Sequence, residues 1–304
     1  MTAGAPRVGI VICTRNRRDT LMACLDSLAR QDYPSGLTGI WIYDDAGSDG
    51  SSAAASARLA SMLSAGLGGG GVIPGREPRG ISAGRNEAAA RALPVSDLLL
   101  FMDDDVRPDP GCLSALVGRM SENQGTGVAA PLLRRSDDGR PLHAPYFVGR
   151  FSFRYSSGDP RAESFCDWVD PACVLVSRDA FSALGGFWPG YYRSHEGVDL
   201  CLRAARAGFK VLYCPAATAV HVMRSEALTP DRLYYLYRNK FTVVRRNSGA
   251  LHRALLLPLM AAAGLPKYLF DSVLRRRGLA GEELSAIFSA VLDGLAGREG
   301  PRAA

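Results

Sequence analysis

LLLFMDDDVRPDP, residues 98–110, is the stretch whose reading decides the fold. Five apolar residues, Leu98 to Met102, run into three consecutive carboxylates, Asp103, Asp104 and Asp105. An apolar run bounded by polar residues predicts a strand buried on both faces, as in a parallel sheet. Pro108 and Pro110 are expected to stop that strand and open a helix near Gly111. Three adjacent anions repel one another and require a nearby cation. The carboxyl end of such a strand is where open α/β sheets bind ligands, so the stretch points to a divalent metal site for a phosphorylated ligand. The plainer alternative is that an Asp after a strand only caps the next helix.

Upstream, the chain repeats one pattern. Val8–Cys13 reads as a strand followed by Thr14-Arg15-Asn16-Arg17, then by a helix over residues 18–31 with Leu21, Cys24, Leu25 and Leu28 at helical spacing. Residues 39–43 read as a second strand ending in Asp44-Asp45, and a helix of small residues runs to about Gly66. The Gly68–Gly71 run reads as a flexible turn before a short third strand, Val72-Ile73, and residues 80–93 as an Ala-rich helix. Strand and helix alternating with short links imply a mostly parallel sheet covered on both faces. No GxGxxG follows the first strand, which disfavours a dinucleotide site. Instead Thr14-Arg15, Asp44-Asp45 and Asp103–Asp105 should converge on one sheet edge. There Asp45 can accept hydrogen bonds from a base or ribose, and Arg85 can face a diphosphate or simply be a solvated helix residue.

Length and composition bound the rest. With 304 residues and 47% hydrophobic content, the chain can build a substantial core, as one α/β domain with or without a helical appendage. The longest apolar run, Ala254 to Leu265, contains Pro258 and Gly264 and falls short of the roughly 20 residues a membrane span needs. The N-terminal stretch lacks a signal-peptide layout. Seven scattered cysteines read as reduced core residues, which suggests the cytoplasm. Residues 1–222 hold 23 Lys/Arg and 23 Asp/Glu, whereas residues 223–304 hold 13 and 7, so the whole +6 lies in the C-terminal part. That basic excess lacks aromatic interleaving on one surface, which argues against nucleic acid.

The blocks VGIVICTRNR, IWIYDDAGSDGS, GISAGRNEAAARA with LLLFMDDDVRPDP, and the segment from DWVDPACVLV to AVHV resemble, in order, the glycosyltransferase family 2 enzymes. The resemblance covers roughly residues 7–222 and implies a GT-A fold. It divides the chain into a catalytic domain, 1–222 (donor half about 1–110, acceptor half about 111–222), and a helical region, 223–304. The implied activity is transfer of a sugar, with inversion, from a UDP- or dTDP-sugar, rhamnose among the candidates, to a glycan, lipid-linked or small-molecule acceptor. On this resemblance Thr14, Arg15 and Asp45 bind the nucleotide, Asp44 holds the turn, and Arg85 lies against the donor. Asp103 and Asp105 form the DxD pair that, with His221, holds Mn²⁺ or Mg²⁺, and Asp104 lies nearer the ribose.

A general base is needed across the pocket from the metal. The candidates lie in Ser194-His195-Glu196-Gly197-Val198-Asp199. Where family members often carry two adjacent acids and use the second, this chain has Gly197. Glu196 is therefore the expected base and Asp199 the alternative, with helix capping as the other role for Asp199. His195 is expected to orient Glu196, to touch the donor, or to lie on the acceptor side. Trp168 and Asp170 fall in the segment that lines the acceptor pocket in the family, where Trp168 stacks on a sugar or packs in the core. Pro171 stands where the family usually has Gly. Residues 134–166 show no clear period and are expected to form a variable acceptor loop, mobile without substrate.

Beyond Pro230 the pattern becomes helical, with Leu233, Leu236, Phe241 and Val244 near helical spacing and Tyr237-Arg238-Asn239 resembling a motif that follows the catalytic domain in many members. These helices either pack on the catalytic domain, support a homodimer, or lie on the anionic inner face of the cell membrane near a lipid-linked acceptor. The competing functional readings are a catalytically silent sugar-nucleotide or glycan-binding module, to which Gly197 lends weight, and a nucleotidyltransferase, which would want a Gly-rich phosphate loop after the first strand.

Overall fold

Strands and helices alternate through the first half of the computed structural model, which describes residues 4–149, 155–222, 229–276 and 281–302. The order is β1 (Val8–Thr14), α1 (Arg18–Leu28), β2 (Thr38–Asp44), α2 (Ser51–Ser64), β3 (Gly69–Pro74), α3 (Ile81–Ala92), β4 (Leu98–Asp103), β5 (Val106–Pro108) and α4 (Cys112–Glu122). The second half adds β6 (Thr126–Arg135), β7 (Tyr146–Val148), β8 (Tyr155–Ser157), β9 (Ser164–Phe165), β10 (Cys173–Ser177), α5 (Arg178–Leu184), α6 (Glu196–Arg206) and β11 (Lys210–His221). Three helices end the chain: α7 (Pro230–Asn247), α8 (Ala250–Arg276) and α9 (Gly281–Ala296).

The main sheet runs β3-β2-β1-β4-β10-β6-β11-β5, with β9 also joined to β11. Strands β3, β2, β1 and β4 are parallel, and β10 enters antiparallel between β4 and β6. Every side chain from Leu99 to Met102 is buried, as the apolar run predicts. Alternation divides them: Leu100 and Met102 join Ile10 and Ile12 under α1, α2 and α4, while Leu99 and Phe101 join Val11 under α3, α5 and α6. Each fully buried Leu, Ile or Phe contributes about 1.5–3 kcal/mol, so the register is strongly specified, because a one-residue slip would exchange the two faces.

Two expectations are corrected. The Gly68–Gly71 run is not a turn; β3 starts at Gly69 and pairs Gly69, Gly70 and Gly71 with Gly39, Ile40 and Trp41. The backbones approach so closely that a Cβ on Gly70, at φ 140°, would strike the Ile40 carbonyl, which leaves only glycine there. Likewise the chain does not pass straight from the carboxylates into a helix. Val106–Pro108 forms β5, antiparallel to the end of β11, with Val106 opposite His221. Pro108 is tolerated because β5 is an edge strand. In the 134–166 stretch, β7, β8 and β9 are formed, while residues 150–154 lie outside the described residues.

The C-terminal helices pack through Leu233, Tyr234, Tyr235 and Tyr237 of α7 against Ala286, Ile287 and Ala290 of α9, with Phe241 and Val244 joining Leu256, Leu257 and Val291. Helix α7 is buried along most of its length, including Arg238 and Asn239, rather than amphipathic at a surface. Helix α8 continues through Pro258 and Pro266, each of which removes one backbone donor. It leaves Leu251, Leu255 and Leu259 exposed. Among the described residues, no helix is long and apolar enough to cross a membrane, and all seven cysteines are free thiols.

Candidate active site

Parallel register builds the site edge. Cys13 stands opposite both Tyr43 and Asp103, and Thr14 opposite Asp44, so the ends of β1, β2 and β4 finish at one level. The antiparallel strand β10 brings Asp170-Pro171-Ala172 alongside, with Asp103 N–H donating to the Ala172 carbonyl at 2.8 Å. The β5–β11 pairing delivers His221, and Val222 N–H donates to the Asp105 carbonyl at 2.8 Å.

Asp104 and Asp105 share Arg17, whereas Asp103 pairs with Arg85. Asp104 is buried inward, accepting from Thr14 Oγ1 at 2.6 Å and lying 3.2 Å from Arg17 Nη1. Burial pushes its carboxyl up to about 7, against the opposing pull of Arg17 and the Thr14 hydroxyl. Asp105 takes Arg17 Nη2 at 2.7 Å and has Oδ1 3.1 Å from His221 Nε2. Burial raises its pKa, but His221 and Arg17 outweigh that and the net shift is downward. His221 shifts the other way: burial disfavours the imidazolium, and the stronger influence of Asp105 and Asp103 raises it overall. Asp103 is pushed up to about 6 by burial, with Arg85 opposing and Asp105 adding.

One atom each of Asp103, Asp105 and His221 can be chosen so that all lie within 4.8 Å of one another. Two carboxylates and an imidazole suit Mn²⁺ or Mg²⁺ completed by phosphate oxygens and water. Two further observations fit that use. Among the described residues, Asp105 Oδ1 has only the 3.1 Å ion pair with His221 and no well-aligned hydrogen bond, and His221 Nδ1 is buried without a partner.

Arg85 departs from its expected place. Its side chain is 1% exposed, and Nη2 donates to Asp103 at 2.6 Å and to the Pro171 carbonyl at 3.1 Å, while Nη1 meets Glu196 Oε1 at 3.1 Å. The guanidinium therefore bridges the acidic cluster and Glu196 instead of lying open to a diphosphate. Close seating of α3 on the sheet puts it there: a Cβ on Gly84 would come 2.6 Å from Cys13 Sγ and 2.7 Å from Tyr43. Glu196 opens α6, is buried, and has its second oxygen, Oε2, without a hydrogen-bond partner among the described residues.

The two departures from the family pattern are one contact. A Cβ on Gly197 would lie 2.6 Å from Pro171 Cγ and closer still to Pro171 Cβ. The proline ring fills the space that a side chain at 197 would occupy, so Gly197 has a packing reason.

The remaining expected residues divide. Asp44 holds its turn, accepting from Gly47 N–H at 2.9 Å and Ser52 Oγ at 2.6 Å. Buried Asp45 accepts from Arg79 N–H at 2.7 Å and Gly80 N–H at 3.0 Å, which ties the loop before α3 to the end of β2. Arg15 is exposed. Asp199 is corrected as an alternative base: it is 0% exposed and accepts from Arg203 at 2.7 Å, Arg246 at 3.0 Å and Asn247 at 2.9 Å. Such a paired anion locks α6 to α7. His195 Nδ1 has no hydrogen-bond partner among the described residues, and burial, with a smaller push from Lys240, holds its pKa down to about 3. Trp168 stacks on Tyr146 at 4.0 Å, and Asp170 lies 3.2 Å from His143 Nε2. Sequence reasoning missed Arg17 as the cation for Asp104 and Asp105, although it stands in the same loop as Thr14 and Arg15.

A family model described as glycosyl transferase family 2 matches residues 9–185. N-acetylglucosaminyl-diphospho-decaprenol L-rhamnosyltransferase of Mycobacterium tuberculosis is 29% identical over 148 residues, 42% of this chain and 47% of that protein. Rhamnosyltransferase WbbL of Escherichia coli is 37% identical over 60 residues, covering 20% and 23%. The chain thus spans about half or less of these curated relatives. Among solved structures, mannosyltransferase PcManGT from Pyrobaculum calidifontis in complex with GDP-Man and Mn²⁺ superposes with a TM-score of 0.64 at 17% identity, over 98% of this chain and 89% of that one. Staphylococcus aureus TarS 1-349 in complex with UDP-GlcNAc gives 0.61 at 15% identity, over 95% and 81%. At such identities the likeness shows the fold, which is the expected GT-A type.

Proposed function

Because the chain belongs to glycosyl transferase family 2, we propose that it is a nucleotide-sugar glycosyltransferase that moves a sugar from a UDP- or dTDP-sugar, with inversion, to an acceptor hydroxyl. Rhamnose is the favoured sugar, because two of the curated relatives are rhamnosyltransferases. The acceptor class favoured by the decaprenol-linked relative is a lipid-linked glycan. The observation that carries the reading is the chain Glu196–Arg85–Asp103, which ties a buried carboxylate with one unpartnered oxygen to the acidic cluster.

Asp103, Asp105 and His221 would hold Mn²⁺ or Mg²⁺, which when bound neutralises charge on the departing nucleoside diphosphate. The protein's own residues do the rest. Asp44 and Asp45 shape the pocket floor for the nucleotide. Arg17 limits repulsion between Asp104 and Asp105. Arg85 holds Glu196 in a fixed direction, so that Oε2 can take the acceptor's hydroxyl proton as the oxygen attacks the anomeric carbon. Trp168, His195 and Asp170 line the acceptor side in this reading. The exposed leucines of α8 would let the C-terminal helices rest on a membrane that carries such an acceptor.

The test is a thermal-shift screen of nucleotide sugars with Mn²⁺, followed by transfer assays on the hits. A stabilising UDP- or dTDP-sugar that is turned over supports the reading; no shift with any donor refutes it.

A further inference from the structure

Two residues in left-handed backbone stand immediately before Glu196: Ser194 (φ 68°) and His195 (φ 69°). Neither is glycine, so each adopts a conformation that its Cβ disfavours. The surroundings must impose that conformation, and Glu196 inherits its direction from it.

The restraint comes from α7. Asn239 is wholly buried, and its Nδ2 donates to the Arg193 carbonyl at 2.5 Å and to the Ser194 carbonyl at 2.9 Å. Its Oδ1 accepts from Arg238 Nε at 2.9 Å, which fixes the amide with its oxygen toward the cation and its nitrogen toward the loop. Arg238 is itself 0% exposed. It donates to the Gly300 carbonyl at 2.6 Å and to the Gly190 carbonyl at 3.4 Å, and lies against the Tyr234 and Tyr235 rings at 5.4 and 5.1 Å. Among the described residues no carboxylate pairs with it. A buried charge, costly to desolvate, is thus satisfied by main-chain carbonyls, one of them in the loop that leads to Glu196. Gly300 N–H closes the arrangement by donating to the same Gly190 carbonyl at 2.9 Å.

We propose that Asn239, oriented by Arg238, is a positioning residue for transfer: it holds the 193–195 backbone and thereby aims the Glu196 carboxylate. The proposal rests on the reading of Glu196 as the base. It gives the Tyr237-Arg238-Asn239 motif, which lies beyond the matched family segment, a mechanical role. Simple packing of α7 on the catalytic core is the competing explanation, and the two differ in what they predict for turnover.

Asn239→Asp is nearly isosteric but turns the donor toward Arg193 and Ser194 into an acceptor facing two carbonyl oxygens. The expected result is a kcat at least tenfold lower, toward the roughly hundredfold that about 1 Å of misplacement costs. Affinity for UDP with Mn²⁺, measured by calorimetry, should stay within twofold of wild type. Ser194→Gly in the same chain should recover part of the lost kcat, since glycine takes the left-handed conformation unaided. If Asn239→Asp does not fold, Arg238→Lys, which keeps the charge but frees the Asn239 amide, is expected to shift kcat in the same way. A kcat within twofold of wild type, or a UDP affinity that weakens in step with kcat, overturns the proposal. Glu196→Gln run alongside separates the two ideas: if it transfers normally, the base assignment has failed; if it is inactive while Asn239→Asp is not, the positioning role has failed.

Discussion

Gly197→Ala is the substitution whose outcome the structure constrains most tightly. The added Cβ would lie 2.6 Å from Pro171 Cγ, 3.0 Å from Pro171 Cδ and nearer still to Pro171 Cβ. Real Cβ contacts are not this short, and neither partner can yield cheaply: one is backbone at the start of α6, the other a closed ring. Overpacking of this kind costs about 1–3 kcal/mol. At about 2–4 °C per kcal/mol for domains of 150–250 residues, the Tm should fall by a few degrees. The strain also has a defined route to the site, because the Pro171 carbonyl accepts from Arg85, which holds Glu196 and Asp103. Transfer should therefore fall more than stability accounts for, by on the order of 10- to 100-fold if Glu196 moves by as much as about 1 Å. Pro171→Gly removes the ring, so the double variant should be more stable than Gly197→Ala alone, with a coupling of about 1–3 kcal/mol in the cycle. Urea melts of the four proteins together with transfer rates provide the assay. A Gly197→Ala protein as stable and active as wild type, or strictly additive single effects, would refute the argument.

Other outcomes follow from the same geometry. Binding of UDP by calorimetry should require a divalent ion and disappear with excess chelator; it should also weaken as pH is lowered through about 6, because Asp103 then holds a proton that an ion must displace. Equal affinity with and without chelator would remove the metal from the account. His195, held down to about 3, stays neutral in the fold while the unfolded chain protonates it below about 6.5. Its contribution to stability is thus present above about 6.5 and lost as pH falls toward 3, so His195→Gln should flatten the stability–pH curve in that window; identical slopes would contradict it. Wild type should co-sediment with anionic vesicles at low salt, and Leu255→Asp with Leu259→Asp should abolish this; equal recovery of both proteins would exclude the exposed face of α8 as the contact.

How much of this was legible beforehand depended on whether the signal was local. The apolar run 98–102 and its carboxylates set β4, its burial and its place at the ligand edge, because strand length and two-faced burial are written in consecutive residues. The glycines of β3 misled, since a Gly run signals a turn unless the partner strand is known to approach within touching distance. β5 was invisible for a similar reason: its pairing with β11 joins residues more than a hundred positions apart. Sequence spacing points Arg85 toward a diphosphate or solvent, whereas the fold buries it between Asp103 and Glu196, because that burial is a property of the packed helix. Asp199 and Glu196 look alike in sequence. Only the converging Arg203, Arg246 and Asn247 show which one is already spent.

The most direct test of the central claim is a pair of measurements on Glu196→Gln: UDP affinity in the presence of Mn²⁺, and the rate of sugar transfer. The account predicts affinity within about twofold of wild type and a transfer rate lower by roughly 10²- to 10⁴-fold, the usual contribution of a general base. Near-wild-type turnover would contradict it.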